Sequence, residues 1–193
     1  MTTRFLAHPT PVGDVLVVAA GDRLVSAHPV RQLDADLAAL SRRFPGPVEP
    51  DDGDPIARRC AVQLDEYFSG TRRVFDLPLD WTGLPDFTRA ALLAVCEIPY
   101  GETAGYGEVA ILAGSPRAAR AVGTACASTP FSIVVPVHRV VRADGSLGEY
   151  GGRPELKGWL LDMEKTTAAQ SRGRPGRRGH AGVSSTSTAP EPS

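Results

Sequence analysis

The stretch Tyr106–Ala127, "YGEVAILAGSPRAARAVGTACA", decides the fold expected for the second half of the chain. It divides into two short helical segments, 106–113 and 117–127, separated by Gly114-Ser115-Pro116. Glycine favours the backbone conformation that ends a helix, serine can cap the next helix, and proline fits a first turn. Such a pair is typical of a helix-turn-helix unit, whose second helix enters a DNA groove. Ordinary packing of two helices would produce the same pattern.

The second helical segment consists mainly of small residues, among them Ala121 and Gly123, and Arg120 is its main long side chain. Small residues let a helix approach another surface closely, and a single arginine can then enter a base stack or pair with a phosphate. This composition favours contact with DNA. An alanine-rich helix packed against the protein's own core is the alternative.

The first half of the sequence predicts a small α+β domain. "VLVVAA" and "RLVSAHPV", separated by Gly21-Asp22, predict a β-hairpin. Apolar residues then recur at helical spacing from Leu33 to Phe44, and a second helix is expected from Pro55 to Phe68. The N-terminal domain is therefore placed at residues 1–82.

The chain after the two short helices predicts a buried extended segment, "FSIVVPVHRVV", and then a final helix, which together complete a second domain at 83–165. Residues 166–193 are rich in Ser, Thr, Pro, Gly and Arg, and we expect a disordered basic tail there. Within it, Arg172-Gly173-Arg174-Pro175 resembles an AT-hook, which lies in a narrow minor groove. A generic basic tail is the alternative.

The composition argues against a strongly basic DNA-binding protein, a metalloprotein and a membrane protein. A net charge of -1 does not indicate a strongly basic DNA-binding face, so any DNA contact must come from individually placed residues. Cys60, Cys96 and Cys126 form no close pair and no metal-ligand spacing, so we expect reduced thiols and no metal. We also expect no cofactor. No apolar signal core or long apolar run is visible, which predicts a cytoplasmic protein without a membrane partner.

Five stretches resemble one family closely, in order and spacing, from about Asp86 to Lys165: "IPYGETAGYGEVA", "GSPRAARAVGTA", "TPFSIVVPVHRVV", "DGSLGEYGG" and "KGWLLDMEK". This family is the methylated-DNA–protein-cysteine methyltransferases, which repair O6-alkylguanine. The resemblance implies an α+β N-terminal domain followed by a mostly α C-terminal domain with a winged-helix-like helix-turn-helix. It also implies double-stranded DNA as partner, a monomer, and a location at the nucleoid.

The resemblance further implies roles for single residues. Because the O6 atom is stacked inside the duplex, the family flips the damaged base into a pocket. Tyr106 matches the tyrosine that pushes on the target phosphate, and Arg120 the arginine that fills the space left by the base. Tyr150 matches the tyrosine that closes over the pocket, where Gly151 keeps the loop close. The other DNA contacts expected are Arg117, Ala121, Gly123 and Arg139.

The nucleophile of the family is missing from this chain. The family motif reads Pro-Cys-His-Arg-Val, and here Val137 stands in the place of the cysteine. Valine has neither a lone pair nor an acidic proton, so it cannot accept an alkyl group. His138 and Glu164 match the pair that, through a water, draws a proton from the nucleophile. In lacking the cysteine, the chain resembles an alkyltransferase-like sub-group of the family, although valine is a departure from the tryptophan or alanine more often found there. The leading prediction, which this resemblance implies, is a protein that recognises O6-alkylguanine by base flipping, transfers nothing, and flags the lesion for other repair proteins.

Two alternatives stay open. The protein could be a methyltransferase with residual activity through another thiol, Cys126 or Cys96, or a scaffold that has lost its DNA function. The retained Tyr106 and Arg120 argue against the scaffold. In the absence of a thiol, His138 would serve only to hold its turn by hydrogen bonds. Further departures from the family pattern stand at Thr129, Glu149 and Arg153.

Overall fold

The computed structural model describes residues 2–44 and 46–172. A four-stranded sheet forms the N-terminal part, from the strands β1 (Thr3–His8), β2 (Val15–Ala20), β3 (Arg23–Pro29) and β4 (Val48–Pro50). Their order is β3-β2-β1-β4, with β1 antiparallel to β2, β2 antiparallel to β3, and β1 parallel to β4. The predicted hairpin is confirmed as β2 and β3.

Two helices accompany this sheet, α1 (Leu33–Arg43) and α2 (Pro55–Phe68), and both confirm the sequence prediction. The start of α2 is well defined, because the carboxylate of Asp54 accepts hydrogen bonds from the backbone N–H groups of Ile56 and Ala57, both at 2.9 Å. One face of α2 is buried, and the helix packs on β1 and β2. This packing places Tyr67, near the end of α2, inside the core.

The C-terminal part is mostly helical, with a short parallel pair of strands. The predicted fold class, an α+β domain followed by a mostly α domain with a helix-turn-helix, is confirmed. Its elements are α3 (Asp86–Cys96), β5 (Ala104–Gly105), α4 (Tyr106–Leu112), α5 (Ala119–Ala127), β6 (Val140–Val141) and α6 (Pro154–Arg172).

The helix α5 begins two residues later than the sequence indicated. Pro116 and Arg117 belong to a separate turn, closed by a 2.9 Å hydrogen bond from the N–H of Ala118 to the carbonyl of Ser115. No side chain caps α5. The expectation that serine caps the helix and proline opens it was therefore wrong, because both residues serve the turn between the helices.

The segment predicted as extended, residues 131–141, is buried as expected but bent. Ile133 has a φ of 75°, and the N–H of Val135 donates to the carbonyl of Phe131 at 2.8 Å, which closes a turn. A 3₁₀ helix then spans Val137–Arg139 and leads into β6. Consecutive apolar residues predict burial without distinguishing a strand from a buried turn. The bend places the three residues Val137–Arg139 in the interior.

The last helix continues to Arg172, seven residues past the expected end of the second domain at 165. Ala168 is buried, and a Cβ placed on Gly101 would lie 3.1 Å from the Cβ of Ala168. The close contact of α6 with the chain at Gly101 therefore holds the helix past Lys165, and the expected disorder of 166–172 was wrong. The rest of the expected tail, including most of the AT-hook resemblance, lies outside the described residues.

The two parts of the chain share one core and a direct backbone contact. The N–H of Ala27 on β3 donates to the carbonyl of Pro130 at 2.8 Å, and the hydroxyl of Ser26 donates to the same oxygen at 3.1 Å. This contact brings the end of β3 beside the turn that precedes Val137. Within 2–44 and 46–172, no helix is both long and apolar enough to cross a membrane.

Candidate functional site

A cavity of about 790 Å³ opens between the end of β3, the helix α5 and the loop before α6. The N-terminal domain contributes one wall to it, through three residues at and just after the end of β3. The lining residues are His28, Pro29, Arg31, Tyr106, Ala119, Arg120, Gly123, Thr124, Cys126, Ala127, Thr129, Ser132, Val137, Arg142, Gly148, Glu149, Tyr150, Gly151, Arg153 and Leu156.

Val137 lies at the floor of this cavity, at the first position of the 3₁₀ helix, and is 4 % exposed. Its side chain presents only methyl groups to the cavity. The floor can therefore pack against an apolar group, but it holds no atom that could attack one.

Behind Val137 lies a buried cluster of polar side chains centred on the carboxylate of Glu164. Nε2 of His138 lies 2.9 Å from Oε1, and the guanidinium of Arg139 donates to Oε1 at 2.9 Å and to Oε2 at 3.0 Å. The backbone N–H of Gly101 donates to Oε2, also at 2.9 Å, and the hydroxyl of Tyr67 donates to Oε1 at 2.7 Å. The carboxylate is thus surrounded by donors on both oxygens, which is how a buried charge is stabilised.

The charges in this cluster follow from its contacts. Burial alone would raise the pKa of Glu164, but the hydrogen bonds from His138 and Arg139 hold it at about 2, so the group is ionised. Burial lowers the pKa of His138 below its ordinary value, although Glu164 acts in the opposite direction. The histidine is therefore neutral at neutral pH, and Glu164 forms its ion pair with Arg139.

Two tyrosines and a glycine-rich loop form the upper part of the cavity. The ring of Tyr150 meets the ring of His138 edge-on, with centroids 6.4 Å apart. Gly148, with φ of 69°, lies so close to Tyr106 that a Cβ there would be 3.1 Å from the tyrosine hydroxyl. Among the described residues, the Tyr150 hydroxyl and Nδ1 of His138 are buried without a hydrogen-bond partner. Of these two side chains, Tyr150 lines the cavity, whereas His138 is fully buried behind the lining residues.

The rim of the cavity is positively charged. Four arginines line it, together with one acidic residue, Glu149. Arg31 reaches across from the N-terminal domain, and its guanidinium donates to the carbonyl of Gly151 in the loop. The arginines are Arg31, Arg120, Arg142 and Arg153. Although the whole chain has a net charge of -1, this rim attracts an anion such as a phosphate.

The known proteins to which this chain is similar belong to one family. Family models match residues 5–81 ("6-O-methylguanine DNA methyltransferase, ribonuclease-like domain") and residues 86–166 ("6-O-methylguanine DNA methyltransferase, DNA binding domain"). A methylated-DNA–protein-cysteine methyltransferase of Methanosarcina barkeri is 38% identical over 156 residues, covering 81% of this chain and 93% of the relative. The chain belongs to the methylated-DNA–protein-cysteine methyltransferase family.

Other members of the family extend the comparison. The methyltransferase of Mycobacterium bovis is 48% identical over 116 residues, which is 60% of this chain and 70% of the relative. The crystal structure of Mycobacterium tuberculosis OGT in complex with DNA has a TM-score of 0.72 and 36% identity, and the match covers 86% of this chain and 94% of that one.

Most of the residues assigned from the family resemblance meet at the cavity. Arg120 and Gly123 reach it from α5, and the ring of Tyr106, at the start of α4, lies beside Gly123. His138 and Glu164 pair directly behind the floor. The three departures from the family pattern, Thr129, Glu149 and Arg153, also line the cavity.

Three other residues assigned to DNA contact lie elsewhere. Arg117 and Ala121 are exposed, and neither lines the cavity. Arg139 is 5 % exposed, and its guanidinium binds Glu164 and, at 2.7 Å, the carbonyl of Ile98. The assignment of Arg139 to DNA was wrong, because its guanidinium is buried and pairs with Glu164.

Sequence reasoning missed four residues of the site: Tyr67, Lys157, Arg31 and Arg142. Tyr67 belongs to the stretch "LDEYFSG", which supported the resemblance without a role being assigned to it. Lys157 is 1 % exposed, and its ammonium donates to the carbonyl of Val140 at 2.6 Å. Burial lowers the pKa of Lys157 to about 8. The lysine stands within the matched "KGWLLDMEK", which was the available signal.

The three cysteines differ in their relation to the cavity. Cys126 lines it, Cys60 is fully buried in the core, and Cys96 is exposed at the end of α3. Burial raises the pKa of Cys126 to about 11, so little thiolate forms near neutral pH. Among the described residues, no group of His, Cys, Asp and Glu side chains could hold a metal ion.

Proposed function

We propose that this protein binds double-stranded DNA containing O6-alkylguanine, holds the flipped base in the cavity above Val137, and transfers no alkyl group. The observation that supports the proposal is the position of Val137 at the floor of a cavity lined by Tyr106, Arg120 and Tyr150. A pocket with the residues for base capture and an inert floor can recognise a lesion without repairing it.

The apolar floor gives the pocket a physical basis for preferring an alkylated base. Each methyl or methylene group removed from water contributes about 0.8 kcal/mol, which is roughly a fourfold gain in affinity. An alkyl substituent that packs against Val137 would therefore be bound more tightly than the bare carbonyl oxygen of guanine. The hydroxyl of Tyr150, a lining residue that has no hydrogen-bond partner among the described residues, offers a polar contact to such a base.

The positive rim supports DNA as the macromolecular partner. Arg120 is exposed on α5 and also lines the cavity, so it can enter the space that a flipped base leaves. The related OGT of Mycobacterium tuberculosis has been crystallised with DNA. On this proposal the protein acts as a monomer at the nucleoid and passes the marked lesion to other repair proteins.

A fluorescence anisotropy titration at one fixed salt concentration tests the proposal. The duplexes would be identical apart from one position, which carries guanine, O6-methylguanine or O6-ethylguanine. We expect the affinity to rise in that order, by roughly fourfold for each added carbon. Salt must be constant, because phosphate contacts make all DNA affinities salt-dependent. Equal affinity for the three duplexes would contradict lesion recognition.

A second candidate function is methyl transfer to Cys126, because this thiol lines the same cavity as Val137. In that reaction the thiolate sulfur would bond to the methyl carbon while the bond from carbon to O6 breaks and its electron pair stays on O6. Guanine forms once N1 takes up the proton that the thiol gave up. The raised pKa of Cys126 argues against it. Intact-protein mass spectrometry after incubation with O6-methylguanine DNA decides the matter: a mass gain of one methyl group, lost in a Cys126→Ser variant, would establish transfer.

A non-DNA scaffold is the third possibility. It has no need of an arginine-rich rim or of the tyrosines Tyr106 and Tyr150, which still line one cavity. If all three duplexes fail to bind at low salt, the scaffold becomes the better description.

A further inference from the structure

Tyr67 connects the N-terminal domain to the polar cluster behind Val137. It lies on α2, is fully buried, and its hydroxyl is 2.7 Å from Oε1 of Glu164 and 3.3 Å from Nε2 of His138. Of the side chains hydrogen-bonded to Glu164, it is the only one in the described part of the chain that comes from before α3. A single hydroxyl thus meets both members of the pair.

The contacts allow one arrangement of protons in this group. Oε1 of ionised Glu164 can only accept, so both Tyr67 and His138 must donate to it. The histidine proton therefore lies on Nε2, and the tyrosine oxygen turns a lone pair toward that nitrogen. Nδ1 is left unprotonated, buried and without a partner in the described protein. The imidazole behind the floor of the pocket is consequently uncharged.

We propose that Tyr67 is a positioning residue that keeps His138 neutral and protonated on Nε2, and so prevents an imidazolium from forming behind the floor of the pocket. By donating to Glu164, the hydroxyl satisfies part of the negative charge that would otherwise attract a second proton to His138. A neutral floor suits an alkyl substituent, whereas an imidazolium beside Val137 would retain water and disfavour it. This consequence rests on the proposed function; the role of Tyr67 toward His138 does not.

Other charged groups near His138 also affect how readily its imidazole ring binds a second proton, and the effect of Tyr67 adds to theirs. Glu164 on α6 favours the protonated ring, while Arg139 on the 3₁₀ helix and Lys157 on α6 oppose it. Tyr150, from the loop before α6, meets the ring edge-on and carries no charge. Removing the hydroxyl of Tyr67 leaves the charges unchanged and takes one donor from Glu164. The carboxylate then attracts a proton on His138 more strongly.

Imidazole ¹⁵N NMR of the DNA-free protein tests the proposal directly. Long-range ¹H–¹⁵N spectra would be recorded between pH 5 and pH 9 for the wild type, Tyr67→Phe and Tyr100→Phe, with His138 assigned from a His138→Gln variant. Tyr100 is the matched control, because it is a buried tyrosine whose ring centroid lies 6.0 Å from that of Tyr67 and whose hydroxyl makes no hydrogen bond to Glu164.

We expect wild type and Tyr100→Phe to show neutral His138 protonated on Nε2, and Tyr67→Phe to titrate at a higher pH. A purely structural role would lower the unfolding midpoint of Tyr67→Phe and leave the titration of His138 unchanged, and that result would overturn the proposal. A wild-type ring protonated on Nδ1 would overturn it as well. The spectra need no DNA, so their outcome is independent of whether the protein prefers alkylated duplexes.

Discussion

Nε2 of His138 lies 2.9 Å from Oε1 of Glu164, and both side chains are fully inaccessible to solvent. A pair of this kind can activate a neighbouring thiol. Here the neighbouring side chain is Val137, which has nothing to activate. The pair persists within a larger cluster that joins α2, the 3₁₀ helix and α6. By joining these three elements the cluster stabilises the fold, which explains how it can be present in a chain that has no nucleophile at residue 137.

Val137→Cys should restore methyl transfer, because the cavity and the pair behind its floor are both present. We expect one methyl group per protein, found on residue 137 by mass spectrometry after incubation with O6-methylguanine DNA. Val137→Ala is the matched control, since it shortens the side chain without adding a thiol. Absence of transfer in a folded Val137→Cys protein that still binds the DNA would show that the floor is not correctly placed for reaction.

Glu164→Gln should destabilise the fold by about 3–5 kcal/mol, because the substitution leaves the buried guanidinium of Arg139 without its counter-charge. Denaturant unfolding at neutral pH measures the loss. Asp162→Asn serves as control, as it removes an exposed carboxylate from the same helix and should change the free energy of unfolding by less than about 0.5 kcal/mol. Similar curves for the two variants would mean that the ion pair contributes little.

Lowering the pH should destabilise the protein, because the carboxylate of Glu164 becomes protonated. The pKa of Glu164 is about 2 in the folded state against an ordinary value of 4.5, so the folded protein binds its proton less readily than the unfolded chain. The stabilisation is present above pH 4.5 and is lost as the pH falls toward 2. Thermal unfolding across this range should be less pH-dependent in Glu164→Gln than in the wild type. Identical pH profiles would exclude Glu164 as the cause.

Arg120→Ala should weaken DNA binding by about 1–3 kcal/mol, because the side chain is exposed on α5 and lines the cavity. Anisotropy titrations at fixed salt measure the effect on plain and alkylated duplexes. Arg42→Ala removes the same charge from an exposed position on α1, outside the cavity, and should leave the affinity nearly unchanged. Equal losses in both variants would indicate a general charge effect without a placed contact.

The sequence predicted helices and strands well where the turn or capping residues that define an element lie next to it in the chain. The hairpin depends on two apolar runs around Gly21-Asp22, and α2 on Asp54 and Pro55 at its start. The segment 131–141 was harder, since a run of apolar residues indicates burial without specifying the backbone path. The final helix was predicted too short because the contact of Ala168 with Gly101 joins residues far apart in the sequence.

The sequence by itself determined the family, the fold class and the absence of a nucleophile at Val137, because these depend on residue identity and spacing along the chain. Only the tertiary structure decided that Arg139 is committed to Glu164, that Arg31 reaches the cavity, and that Tyr67 joins the buried cluster. Such assignments depend on which side chains meet across elements and on how much water they lose there. The burial of a charged side chain and the group that it pairs with decide whether it contacts DNA or stabilises the fold. Neither can be predicted from the order of residues along the chain alone.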